Sequence, residues 1–172
     1  MRRGHDEKGR TVGRLQGRDR RVNGPPEGEP WAWMTRAMLE SPAWAALSIH
    51  ARRIIDRVLI EHMAHGGTQN GALPVSYADI EALGIRRNRI ASAIAETVAL
   101  GFLDHERGRP AGGAAKGYVQ LFRLTWLRTA DGEPASNRWK AISAAEAVER
   151  ATLARGTSAD ARYAARRPTG KI

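Results

Sequence analysis

Apolar residues along this chain follow two rhythms, and the change from one to the other marks the elements. Ile49, Ile54, Ile55, Val58, Leu59 and Met63 recur at helical spacing opposite Arg52, Arg53 and Arg57, which predicts a long amphipathic helix opening at Ser48. A shorter helix precedes it, opened by the N-cap Ser41 and by Pro42 in the first turn and ending near Leu47. Leu73-Pro74-Val75 is an extended piece. Ser76 then caps a helix over 77–83 with Ile80 and Leu83 apolar, and Gly84 breaks it. The polar run Arg86-Arg87-Asn88-Arg89 leads into Ile90, Ile94, Thr97 and Val98, again at helical spacing. This predicts a helix over 86–100, stopped by Gly101 in a left-handed position just past its end. Beyond it the pattern shifts towards a strand over 102–106 and an antiparallel partner over 118–126, with Val119, Leu121 and Leu124 as apolar contacts.

Between the two strands, residues 107–117 hold Gly108, Gly112, Gly113 and Gly117, which predict flexibility. They also hold Arg107, Arg109 and Lys116, which make the loop cationic and suited to phosphate contact. From Val75 to Glu106 the order of capped helix, glycine turn, polar-started helix and glycine before a strand resembles the winged helix-turn-helix domains of the bacterial multiple-antibiotic-resistance and gluconate-operon repressor families. That resemblance covers the middle third of the chain. It implies an α+β, mainly α fold, with a two- to three-stranded antiparallel wing and flexible basic termini.

The resemblance also implies that the helix over 86–100 enters the major groove of double-stranded DNA. It puts Arg87, Asn88, Arg89 and Ser92 nearest the base edges, Arg86 nearer the backbone, and Arg107, Arg109 and Lys116 on the flanking phosphates or minor groove. The chemistry is compatible, because arginine pairs bidentately with guanine and asparagine with adenine. Electrostatics gives a separate reason to single out the arginines. Cations in the first turn oppose the helix dipole by roughly 0.3–1 kcal/mol each when exposed, a penalty that an anion would reverse. A solvated basic helix end is the alternative. One feature departs from the pattern of relatives: Ala91 and Ala95 stand where a long polar side chain is common, so the readable surface is short and shape and phosphate contacts gain weight.

Length and charge sharpen the organisation. The 172 residues suffice for one globular domain with extensions. Of the net charge of +10, residues 1–23 carry +5, residues 127–172 carry +4 and residues 24–126 only +1. Within the middle segment, six of the eleven basic residues are those of the polar helix start and the loop, an arrangement that suits a polyanion with salt-sensitive affinity. The absence of cysteine excludes disulfides and thiolate metal sites and fits a reducing cytoplasm, and no stretch approaches a membrane span. A cytoplasmic, bacterial protein with no membrane partner is expected.

Three segments follow. Residues 1–29 are glycine-rich and of mixed charge, expected to be a disordered basic arm that could follow phosphates or serve no contact. Residues 30–127 form the winged domain, in which Trp31, Trp33 and Trp44 are expected to be core. Residues 128–172 are a C-terminal extension with one helix over 143–155, opened by the Ser143/Glu146 capping box, carrying a thin apolar stripe of Val148 and Leu153 and ended by Gly156; a disordered tail is expected from Thr157. Residues 33–127 also show a looser similarity to uncharacterised winged-helix proteins of alphaproteobacteria and to replication and regulatory proteins of plasmids and phages.

Catalytic chemistry is not indicated. The loop glycines match a phosphate-binding loop only until Ala114 and Ala115, which stand where Lys and Ser or Thr are required. His62 and His65, beside Glu61, share a helix face but lack further ligands, and suit a helix C-terminus without a metal. His105 fits a phosphate contact or plain exposure. The sequence therefore predicts a sequence-specific DNA-binding protein, not an enzyme, with no cofactor or metal, in transcriptional regulation; a homodimer suits the class, since paired half-sites gain affinity and specificity. Two alternatives stay open: a replication or maintenance factor of a mobile element, and a protein-interaction or RNA-associated module.

Overall fold

A computed structural model describes residues 4–5, 11–12, 28–110 and 118–166. The chain divides into two units, Met1–Trp31 and Ala32–Ile172. Among the described residues of the first, β1 (Gly4–His5) and β2 (Thr11–Val12) pair antiparallel. The remainder of the expected basic arm up to residue 27 lies outside the described residues.

The second unit is α+β, and about half of all the described residues are helical. It runs α1 (Arg36–Leu39), α2 (Pro42–Ala46), α3 (Ile49–Ala64), β3 (Leu73–Val75), α4 (Tyr77–Ala82), α5 (Arg87–Ala99), β4 (Leu103–Pro110), β5 (Tyr118–Leu124), a 3₁₀ turn (Arg138–Ala141) and α6 (Ala144–Arg166). Polar side chains set the helix starts: Thr35, Ser41, Ser48 and Ser76 each accept a backbone N–H of the first turn, and Ser76 with Asp79 closes a full capping box. Asp79 is partly buried, which raises its pKa, but its bonds from the Ser76 hydroxyl and amide and the nearby Arg57 outweigh burial and hold the carboxyl below its ordinary value.

The three strands form an open antiparallel sheet in the order β3-β5-β4, with Val75 opposite Gln120 and Leu103 opposite Leu124. Its buried face, with Leu73, Leu103, Phe122 and Leu124, meets Ile54, Ile55 and Val58 of α3 and Ile90 and Ile94 of α5 in one core. Phe102 is the aromatic hub. Trp44 meets it edge-on at 5.3 Å and Trp139 stacks on it at 6.1 Å. Such pairs add roughly 0.5–1.5 kcal/mol beyond burial.

Gly101 lies at φ +75°, as the helix stop requires. A Cβ there would sit 2.7 Å from the backbone nitrogen of Trp139, so the 3₁₀ turn packs against the bare glycine. Asn70, fully buried between α3 and β3, holds the same end of β5 from the side of β3. Its Nδ2 donates to the carbonyls of Leu124, Leu127 and Arg128 at 3.0–3.1 Å, and its Oδ1 accepts the Leu124 amide at 2.7 Å.

Several expectations are corrected. Arg107 and Gly108 belong to strand β4, not to a flexible loop, since β4 extends to Pro110 with an irregularity between Arg107 and Pro110. Gly108 permits this: a Cβ would stand 2.7 Å from the Val119 carbonyl oxygen. Helix α6 runs through Gly156 to Arg166, because one glycine costs a helix only about 1 kcal/mol and no proline interrupts it. Its buried face is Ala147, Ala151 and Ala154, which pack against the core and let α6 lie along α5, while Val148 and Leu153 are exposed. Ile49, Trp31 and Trp33 are exposed as well. Trp33 is fixed through its backbone, whose carbonyl accepts the indole N–H of buried Trp126 at 3.2 Å.

His62, buried on α3 with its Nδ1 unpartnered, makes acid sensitivity predictable. Burial holds its pKa below the ordinary value. A depressed folded-state pKa gives stability that is full above the unfolded value, about 6.5 for histidine, and lost as pH falls towards the folded value. Urea unfolding should show a His62→Gln variant losing less stability than the parent between about pH 7 and pH 5. Equal losses would remove His62 from the acid response.

Candidate nucleic-acid interface

Helix α5 starts differently from the four capped helices before it. Its N-cap is Arg86, which makes no side-chain cap bond. The backbone amide of Arg89 reaches the Arg86 carbonyl at 2.7 Å, and Arg86, Arg87, Asn88 and Arg89 are all exposed on this first turn. The predicted boundaries hold to within one residue, with Leu100 as C-cap.

The other arginines of the second unit whose side chains are described are spent on the fold. Arg57 binds Glu61 at 2.7 Å, Arg123 binds Glu133 at 2.7 Å, and Arg138 pairs with Asp104. Arg52, Arg53 and Arg128 donate to the carbonyls of Trp44, Leu83 and Gly132. Arg36, Arg150 and Arg155 pair with Glu40, Glu146 and Glu96, and Arg107 is also engaged. Arg87 donates from Nη1 to Glu81 Oε2 at 3.0 Å and lies over the Tyr77 ring at 5.6 Å. Among the arginines whose side chains are described, Arg86 and Arg89 alone have no such partner.

No protein-family model, curated protein or solved structure matches the chain.

The remaining predicted positions divide. Ser92 is buried, and its hydroxyl donates to the Arg89 carbonyl at 3.0 Å, so it does not share the exposed face of the arginines. One turn past the arginines, α5 presents Ala91 and Ala95. With Tyr77 of α4 and His105 of β4 they line a shallow groove of about 360 Å³. His105 is oriented there by Gln120, 2.8 Å from its Nε2, and by the Phe122 ring. Arg107 is exposed on β4. Arg109 lies on the same strand by its backbone, its side chain being outside the described residues, and Lys116 is outside them altogether.

Sequence reasoning missed Tyr77 and Glu81 as neighbours of the basic turn. Their spacing places them one turn apart on α4, but only the angle between α4 and α5 brings them to Arg87. It also missed Glu96, which is almost fully buried on α5. Its carboxylate accepts the Ser48 amide at 2.6 Å, the Ser48 hydroxyl at 2.8 Å and Arg155 Nη2 at 2.7 Å. The bond to Glu96 in turn raises the pKa of Arg155 against the opposing effect of burial. The body of α5 is thereby joined to the start of α3 and to α6.

Among the described residues no group of three His, Cys, Asp or Glu is placed to hold a metal. No helix among them is long and apolar enough to cross a membrane.

Proposed function

We propose that the second unit is a winged helix-turn-helix that binds double-stranded DNA with sequence preference and acts in transcriptional regulation. α4, the turn at Gly84 and α5 form the helix-turn-helix, α5 enters the major groove, and the β4–β5 hairpin is the wing on the backbone. The observation that carries the reading is the pair of exposed, unpartnered guanidinium groups of Arg86 and Arg89 at an uncapped helix start. Most other arginines of the unit whose side chains are described satisfy a carboxylate or a carbonyl, so two left free within one turn, against the helix dipole, are explained by an external anion. The sheet order, with β5 between β3 and β4, supports the reading because it leaves the β4–β5 hairpin to project as a wing.

Selection from a random double-stranded DNA pool near physiological salt tests the proposal. An enriched motif is expected, and a palindromic one would indicate a homodimer on paired half-sites. Retention without enrichment, or none, would defeat sequence-specific recognition and favour a non-specific binder or an interaction module. Arg86→Ala and Arg89→Ala should each reduce the slope of log affinity against log salt by about 0.9 per lost phosphate contact. An unchanged slope in both would remove these residues from the interface.

A further inference from the structure

Arg87 differs from its two neighbours because α4 holds it. Glu81 and Tyr77 engage one end and one face of its guanidinium, through the 3.0 Å bond to Nη1 and the ring 5.6 Å away. We propose that Glu81 is a positioning residue that makes Arg87 the guanine reader of α5 and leaves Arg86 and Arg89 to the phosphates. The inference rests on the DNA-binding reading above and assigns roles within it.

Three physical arguments support this division. With Nη1 taken by Glu81, the edge formed by Nε and Nη2 stays open. That edge carries two parallel donors, the fork that matches O6 and N7 of guanine. Charge is the second argument. A phosphate approaching Arg87 also approaches the Glu81 carboxylate, so attraction and repulsion largely offset each other. A guanine edge bears no formal charge and escapes that repulsion. Arg86 and Arg89 keep their full charge towards an anion, having no carboxylate partner. Order is the third. A free arginine loses rotamer freedom on binding, whereas Arg87 has been confined by α4 before DNA arrives.

The experiment uses the full chain and the duplex enriched from the random pool. Each guanine in turn is replaced by 7-deazaguanine, which lacks the N7 acceptor. The parent should lose about tenfold in affinity at one guanine, the size of one charge-assisted hydrogen bond of the fork, since O6 remains. Glu81→Ala should shrink that penalty to about twofold or less while thermal unfolding stays within a few degrees, since Glu81 is a partly exposed surface residue. Glu81→Gln keeps an acceptor oxygen in the same place and should retain most of the penalty, a rescue that a merely structural role would not give. In an Arg87→Ala background, Glu81→Ala should change nothing further at that guanine. A 7-deazaguanine penalty that is unchanged in Glu81→Ala, or one that grows because Glu81 competes with guanine for Arg87, would overturn the inference, whatever the change in overall affinity from losing a carboxylate near phosphates. Both outcomes leave DNA recognition standing. No enriched duplex for the parent would defeat the DNA reading itself, and this inference with it.

Discussion

Replacing Glu96 with Ala is expected to destabilise the second unit by about 3 kcal/mol, the cost of breaking a buried charged cluster and orphaning its partners. The carboxylate is almost fully buried and serves three donors, two from Ser48 and one from Arg155. Its loss strips the start of α3 of an acceptor and removes the Arg155 tie between α6 and α5. The partners should respond unequally. Arg155→Ala leaves the buried Glu96 carboxylate on its two Ser48 donors alone and should cost about 2 kcal/mol, whereas Arg155, about half exposed, is rehydrated when Glu96 is the residue removed. Ser48→Ala should cost about 1 kcal/mol as a lost N-cap. Urea titrations of the three variants measure the order, and a Glu96→Ala effect below about 1 kcal/mol would reduce the cluster to an ordinary surface pair.

Asn70→Asp gives the second large effect, again about 3 kcal/mol near neutral pH. The amide donates to three carbonyl oxygens at 3.0–3.1 Å, and a carboxylate in its place would point negative charge at all three. Protonation would relieve this, so the folded-state pKa of the new acid is raised and its proton uptake favours the fold. The variant should therefore gain stability relative to the parent as pH falls through that raised value, and Asn70→Ala should show no such recovery. Parallel pH dependences for Asn70→Asp and the parent would mean that the three carbonyls do not sense the charge.

The same two residues show where reading the chain stopped. Local signals placed α4 and α5 to within one residue, because Ser76, Gly84 and Gly101 act on their own neighbourhoods. Asn70 and Glu96 act across 54 and 48 positions of sequence, and no spacing rule reaches that far. Helix α6 failed for a related reason. Val148 and Leu153 are the larger apolar residues, but a close helix contact with α5 selects the small Ala147, Ala151 and Ala154 and turns the larger ones outward. In the basic turn, four exposed polar residues were legible in order. The resemblance places Ser92 on their side, although helical rotation carries it to the buried face, where it bonds the Arg89 carbonyl. What the sequence concealed was occupancy: which arginines the fold had already used.

Glu96 sits seven residues after Arg89, a separation of about 10.5 Å along the helix axis. With its third turn pinned there and Ile90 and Ile94 seated in the core, α5 is a short rigid rod whose N-terminal tip carries the arginines. A tilt of about 6° at the pinned turn displaces Arg89 by about 1 Å, a shift of the size that spoils a bidentate fit. α6 bolts onto that same turn through Arg155 and is thus a lever on the aim of that tip.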